Sequence, residues 1–195
     1  MIKQHIKRTI DIILSLLILA ILAIPLLIIY ILVFLDLRTN PIFIQYRNGK
    51  DLKRFPIIKF TTMTVKEDGI GNFSQAMPND KRVTKFGAFL RKNSIDEILQ
   101  FINVLLGHMS LVGPRPHPIS LDNEFEHKIE NYMKRYSVKP GITGLAQVTG
   151  FRGETDTIEK MKGRVEADLK YIENHSIYLD FKIFIDTFKV LLSGV

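Results

Sequence analysis

The sequence predicts an α+β fold in which an N-terminal membrane helix precedes a mainly helical domain carrying a small β-hairpin or sheet. Three observations predict it. Residues 12–35 carry no charge, two short segments after them alternate β-branched and aromatic side chains, and the second half repeats apolar residues at helical spacing. A chain of 195 residues that is 46% hydrophobic buries one core, so an anchor over 1–38 and one domain over 39–195 are expected. The formal net charge of +7 points to an anionic partner: nucleic acid, anionic lipid or a phosphorylated substrate. The absence of cysteine excludes a disulfide framework, a thiol nucleophile and a thiolate metal site.

The run from Ile12 to Leu35 measures about 36 Å as a helix, against a hydrocarbon core of about 30 Å. It is too long for a signal-peptide core, and no small-x-small cleavage site precedes the polar chain. Lys3, Lys7 and Arg8 stand before it and Arg38, Arg47, Lys50, Lys53 and Arg54 after it, so both flanks read as cytoplasmic by the positive-inside rule. Pro25, near the middle, removes one backbone donor and favours a kink. A re-entrant helix that enters, bends and returns accounts for both features; a straight single span with a harmless proline is the alternative.

Pro41–Tyr46 and Phe55–Thr64 read as two strands of a hairpin joined through Arg47-Asn48-Gly49-Lys50. Residues 69–80 read as a surface loop. Ser94-Ile95-Asp96-Glu97 reads as the start of a helix, with Ser94 as N-cap and Glu97 as its capping-box partner. Ile95, Leu99, Ile102 and Leu106 form its expected buried stripe, and Gly107 stops it. Met109–Val112 is a short extended stretch before Gly113-Pro114-Arg115-Pro116. Helices are expected near Leu121–Tyr136, Thr157–Asn174 and Asp180–Leu192. The last sets Phe181, Phe184, Ile185, Phe188 and Leu192 against Lys182, Asp186 and Lys189, a pattern that suits the membrane interface or ordinary core packing alike.

Asp96 lies in a first helical turn, where the dipole and free amides favour an ionised carboxylate, and Gln100 and Asn103 extend a polar stripe from it. Such an aspartate can attack phosphorus or hold a divalent cation, with Glu97 as its partner. On spacing alone, the same pair reads as capping and dipole compensation. Arg115, caged between Pro114 and Pro116, loses little entropy when its fork grips a phosphate, and Lys59 and Arg91 add charge that can neutralise a diphosphate. His5, His108, His117, His127 and His175 show no metal-site spacing, and no Gly-rich phosphate loop or serine elbow is present.

Taken in order, these residues resemble the bacterial sugar transferase family, the monotopic phosphoglycosyl transferases. The resemblance runs from Lys7-Arg8 and Asp11 through Gln45-x-Arg47-x-Gly49, Lys59-Phe60-x-Thr62-Met63, Thr84-x-Phe86-Gly87 and Leu90-Arg91-Lys92-x-Ser94-x-Asp96-Glu97. It continues in Asn103-Val104-Leu105-x-Gly107-x-Met109-Ser110-x-Val112-Gly113-Pro114-Arg115-Pro116 and Lys139-Pro140-Gly141-Ile142-Thr143-Gly144-x-Ala146-Gln147. It implies a ping-pong reaction in which Asp96, accompanied by Mg2+ and assisted by Glu97, attacks the β-phosphate of a UDP-sugar and releases UMP. Undecaprenyl phosphate then takes the sugar-1-phosphate. Arg115, Arg91 and Lys59 are implied phosphate ligands and Asp168 a further substrate-binding residue. The helix is implied to be re-entrant, at the cytoplasmic face of the bacterial inner membrane, with lipid as a partner and a homodimer as one oligomeric option.

The segment Phe151-Arg152-Gly153-Glu154-Thr155-Asp156-Thr157 and the run Lys160-Met161 to Glu166-x-Asp168-x-x-Tyr171-Ile172 resemble the hexose-1-phosphate branch, here in its minimal catalytic form. Ile24-Pro25 stands where the family usually has Ser-Pro. Thr61, His108 and Leu145 stand where it often has a basic residue, aspartate and tryptophan. The rival reading is a membrane-anchored basic binding protein without turnover. A nucleic-acid partner is not expected, because the phenylalanines fall on apolar stripes rather than among basic residues.

Overall fold

The computed structural model describes residues 2–64, 80–151, 153 and 157–193. The expected loop at 69–80 lies outside them except for Asp80, as do Arg152 and Glu154-Thr155-Asp156 of the segment that resembles the hexose branch and the side chain of Leu192.

Helix α1 runs unbroken over Ile2–Leu37, with Pro25 inside it. It is the one helix among the described residues long and apolar enough to cross a membrane, and most of its surface is open rather than packed. Its N-terminal end is tied to the rest of the chain by charge. Lys7 Nζ donates to Asp180 Oδ2 (2.7 Å) and to the Val112 carbonyl (3.1 Å), and Arg8 donates to the carbonyls of Val104 (2.6 Å) and Leu105 (2.9 Å). Asp11 accepts from Ser110 Oγ (2.8 Å) and Leu111 N–H (3.1 Å). Its C-terminal end is tied by packing: Val33, with Leu26, Ile29 and Leu37 around it, closes a core cluster with Phe60, Leu90 and Leu99. Asp36 Oδ2 there accepts from Thr84 Oγ1 (2.6 Å).

The expected hairpin forms, with β1 (Ile42–Asn48) antiparallel to β2 (Arg54–Phe60) and Phe43 opposite Lys59. Its turn is longer than the four residues expected, because Asp51 and Leu52 take left-handed conformations in a 3-10 turn over Lys50–Leu52. Helix α2 (Lys85–Lys92) is capped by Thr84, whose hydroxyl accepts from Gly87 N–H. Gly87 lets α2 lie on β2's extension; a Cβ there would stand 1.9 Å from the Thr62 carbonyl oxygen.

The capping box expected at Ser94 does not form. Ser94 is left-handed (φ 55°) with no side-chain cap bond, and Ile95–Glu97 is a 3-10 turn ahead of the short helix α3 (Gln100–Leu105). The expected stripe forms in part, with Leu99 buried and Ile95 and Ile102 packed on the same cluster, but the polar face is buried as well. Gln100 and Asn103 are fully buried and Leu106 is 59% exposed. The reason is backbone satisfaction: Asn103 Nδ2 donates to the Pro56 carbonyl (2.6 Å) and its Oδ1 accepts from Ile58 N–H (3.0 Å), stitching α3 to β2. Leu99 still faces inward, toward α1.

Met109–Val112 is extended as expected, with β3 at Ser110–Val112; its parallel partner β4 (Gly141–Thr143) was not anticipated. The helix expected over Leu121–Tyr136 is broken into α4 (Ile119–Phe125) and a 3-10 turn (Tyr132–Ser137), with left-handed Asn131 between them. After the one-turn α5 (Leu145–Val148), α6 (Ile158–Glu173) and α7 (Ile177–Ser193) match expectation, α6 with Thr157 as its cap. On α7, Ile183 enters the main core with Phe55, Val104, Met109 and Tyr171, whereas Phe181, Ile185 and Phe188 stay exposed. The molecule is therefore mainly helical with two small two-stranded sheets.

Candidate active site

The hairpin, the Ile95–Glu97 turn and the segment after β3 converge on one cavity of about 1090 Å³. Three backbone devices aim the side chains. Left-handed Ser94 reverses the chain after α2 and brings Asp96 and Glu97 to the cavity. Strand alternation puts Phe43, Gln45 and Arg47 on β1, and Ile57 and Lys59 on β2, along one wall. Gly113 is pressed against Gly141, where a Cβ on Gly141 would stand 2.1 Å from Gly113 N. That contact lets Gly113 N–H reach the Thr143 carbonyl (2.9 Å) and Gly141 N–H reach that of Pro114 (2.9 Å), holding Pro114-Arg115-Pro116 rigidly.

Glu97 is clamped from both sides. Lys59 Nζ donates to Oε1 (2.7 Å), Arg115 Nη1 to Oε2 (2.8 Å) and Arg115 Nη2 to Oε1. Burial alone would raise its pKa, but Arg115 and Lys59 together hold it well below the usual carboxylate range. Asp96 is more buried, 9% exposed, yet its carboxylate makes no hydrogen bond or ion pair among the described residues. Burial, with Glu97 next to it, pushes Asp96 above the ordinary aspartate value. One carboxylate is thus charged at neutral pH and fixed, while its neighbour is left free to react.

Arg91, at the end of α2, lines the same cavity and is steered by Thr62, whose hydroxyl accepts from Nε (2.7 Å). Asp96, Glu97, Lys59, Arg91 and Arg115, all singled out in the sequence, are therefore brought together. Asp168 is not. It sits on α6, 1% exposed, accepting from Arg135 Nη2 (2.6 Å) and Nε (3.1 Å). The same Nη2 donates to the Arg115 carbonyl (2.8 Å), so Asp168 acts on the cavity through Arg135 rather than by facing it.

Sequence reasoning missed Arg47, His117 and Arg164, which also line the cavity. Arg47 stood in the quoted Gln45-x-Arg47-x-Gly49 motif, and its alternation with Phe43 was the available signal. His117 is held neutral by burial and by Arg135 and Arg164, its Nδ1 against the Tyr132 hydroxyl (2.7 Å). No local pattern announces that environment. The lining also has an apolar share, with Ile18, Ile21 and Leu22 from α1 and Phe184, Phe188 and Leu191 from α7.

Residues 2–194 match the family profile described as bacterial sugar transferase. The chain belongs to the bacterial sugar transferase family. Among the family's curated members, the UDP-glucose:undecaprenyl-phosphate glucose-1-phosphate transferase of Klebsiella pneumoniae is 52% identical over 184 residues, which is 94% of this chain and 39% of that protein. The protein of the same name from Caulobacter vibrioides is 43% identical over 96% of this chain and 70% of its own length. The exopolysaccharide production protein PSS of Rhizobium leguminosarum bv. phaseoli is 41% identical over 93% of this chain and 92% of its own. The chain spans about two fifths of the Klebsiella relative and of its Escherichia coli counterpart, 39% and 40% respectively. In this family member the apolar α1, long enough to cross a membrane, also contributes Ile18, Ile21 and Leu22 to the cavity lining.

Proposed function

We propose that this chain transfers a hexose-1-phosphate from a UDP-sugar to undecaprenyl phosphate, through a phosphosugar linked to Asp96, with UMP released, in the first membrane step of a surface glycan. The observation that carries the reading is the unpartnered, buried Asp96 carboxylate beside a Glu97 already neutralised by Lys59 and Arg115. An Asp96 oxygen attacks the sugar-bearing phosphorus, and the bond from that phosphorus to the bridging oxygen breaks, so UMP leaves with the electron pair. A phosphate oxygen of the lipid then attacks the same phosphorus and returns Asp96 to a carboxylate. Arg91, Lys59 and Arg115 supply preorganised positive charge for the oxygens that gain charge in each step. The named activity of the Klebsiella and Caulobacter relatives agrees with a glucose-type donor.

Mg2+ fits this donor set. The described residues hold no cluster of three metal-ligating side chains, but magnesium commonly takes one carboxylate with substrate phosphates and water, and Asp96 is a hard oxygen donor with no competing partner. Bound there, the ion would neutralise diphosphate charge.

α1 supports the membrane placement. Both of its ends dock on one domain, at Lys7, Arg8 and Asp11 and again at Val33 and Asp36. A straight span would carry one end across the bilayer, so a re-entrant helix with both ends on the cytoplasmic face fits better. The exposed Phe181, Ile185 and Phe188 of α7 suit the interface, and the apolar lining that α1 and α7 give the cavity suits the acceptor's chain.

The test is UMP release from UDP-glucose by purified protein with magnesium, and the intact mass of the enzyme after donor alone. Wild type gains one hexose phosphate and turns over when lipid phosphate is added; Asp96→Asn does neither while unfolding at the wild-type temperature. Turnover by Asp96→Asn overturns the assignment.

A further inference from the structure

Arg47 has a place in the cavity that the clamp around Glu97 does not explain. It is the last cavity-facing residue of β1, and its backbone forms an antiparallel bridge with Pro118, on the segment that carries Arg115. The two arginines are therefore fixed relative to one another through the main chain. Gln45 Oε1 accepts from Arg47 Nη2 (2.7 Å) and sets the side chain's direction without neutralising it. That is its only side-chain hydrogen bond among the described residues, and its buried Nε has no partner.

The nearby carboxylates are spoken for. Glu97 receives Lys59 and both terminal nitrogens of Arg115. Asp122 receives Asn48 Nδ2 (2.7 Å), the Tyr132 hydroxyl (2.9 Å) and the Tyr136 hydroxyl. Arg47 accordingly feels burial and the like charge of Arg115 more than any attraction, and its pKa is drawn down to about 10. A guanidinium in that position is stabilised when an anion enters. Among the described lining residues, Arg47, Lys59, Arg91, Arg115 and Arg164 face only the carboxylates of Asp96 and Glu97, an excess of positive charge that suits an anionic substrate.

We infer that Arg47 is a further substrate-binding residue, whose Nε and free Nη groups grip, together with Arg115, a phosphate oxygen of the substrate. Either the donor's diphosphate or the acceptor's phosphate presents that chemistry. The inference rests on the transferase reading for the identity of the substrate.

Arg47→Gln and Arg47→Lys, in the full chain, separate the cases. If the oxygen belongs to the donor, Arg47→Gln slows acceptor-free UMP release about a hundredfold, and transfer from preformed phosphosugar-enzyme to lipid phosphate is unchanged. If it belongs to the acceptor, the first step is unchanged and the second slows. In either case Arg47→Lys restores only part of the rate, because a point charge does not reproduce the fork. Inorganic pyrophosphate, used as a turnover-independent probe, raises the unfolding temperature of wild type and not of Arg47→Gln. Both half-reactions within about twofold of wild type, with the pyrophosphate shift retained, overturn the inference. A wild type that releases no UMP counts against the transferase reading, and the pyrophosphate comparison still decides Arg47.

Discussion

At the scale of single residues, the site divides labour between two adjacent carboxylates. Glu97 is the electrostatic keystone: its depressed pKa means that its contribution to stability is complete above the ordinary glutamate value of 4.5 and is lost as pH falls through the lower folded value. Glu97→Gln leaves Lys59 and Arg115 facing one another without a counter-charge. The pair is partly open, with Glu97 and Lys59 side chains each 17% exposed, so the expected cost at neutral pH is about 2 kcal/mol rather than the larger loss of a sealed ion pair. Chemical denaturation from pH 7 down to pH 3 checks it, the difference from wild type closing on the acid side. Asp96 carries the opposite shift, so UMP release needs a pH above the ordinary aspartate value of 3.8. Removing the Glu97 charge moves that acid limb downward.

At the scale of elements, α1 and α3 show where reading the chain succeeded and where it stopped. The charge-free run, the hairpin and the extent of α6 were legible, because composition, alternation and helical spacing are local signals. The burial of the polar face of α3 was not, because Asn103 satisfies the backbone of β2, 45 residues earlier, and no periodicity encodes a partner. Ser94 misled for the same reason: its left-handed turn is imposed by what Asp96 and Glu97 must reach. Within the site, Asp96, Glu97 and Arg115 were legible only together, through a resemblance, since each alone reads as a cap or a surface charge. For α1, single cysteines at Gln4 and Arg38 in spheroplast-derived vesicles of known sidedness test the re-entrant path. Both are labelled by an impermeant reagent from the cytoplasmic side; labelling of one from each side means a straight span.

At the scale of the whole molecule, a buried polar chain links distant elements to the cavity wall. Asp168 on α6 binds Arg135, Arg135 binds the Arg115 carbonyl and approaches His117, and Tyr132 and Tyr136 join Asp122 and Asn48 to the same layer. Asp168→Asn uncovers a fully buried guanidinium, and a loss of about 3 kcal/mol in unfolding free energy is expected, with slower UMP release following from a displaced Arg115. Unchanged stability combined with a raised KM for the donor would instead return Asp168 to direct substrate contact.

The docking of both ends of α1 also bears on how such an enzyme meets its lipid. On the proposed reading, a cavity lined by α1 sits at a constant height on the bilayer, level with the phosphate of a lipid acceptor that stays in its leaflet. The encounter is then a search in two dimensions. Its rate follows the acceptor's surface density, so spreading a fixed amount of acceptor through more inert lipid slows the reaction, while adding more membrane of the same composition does not.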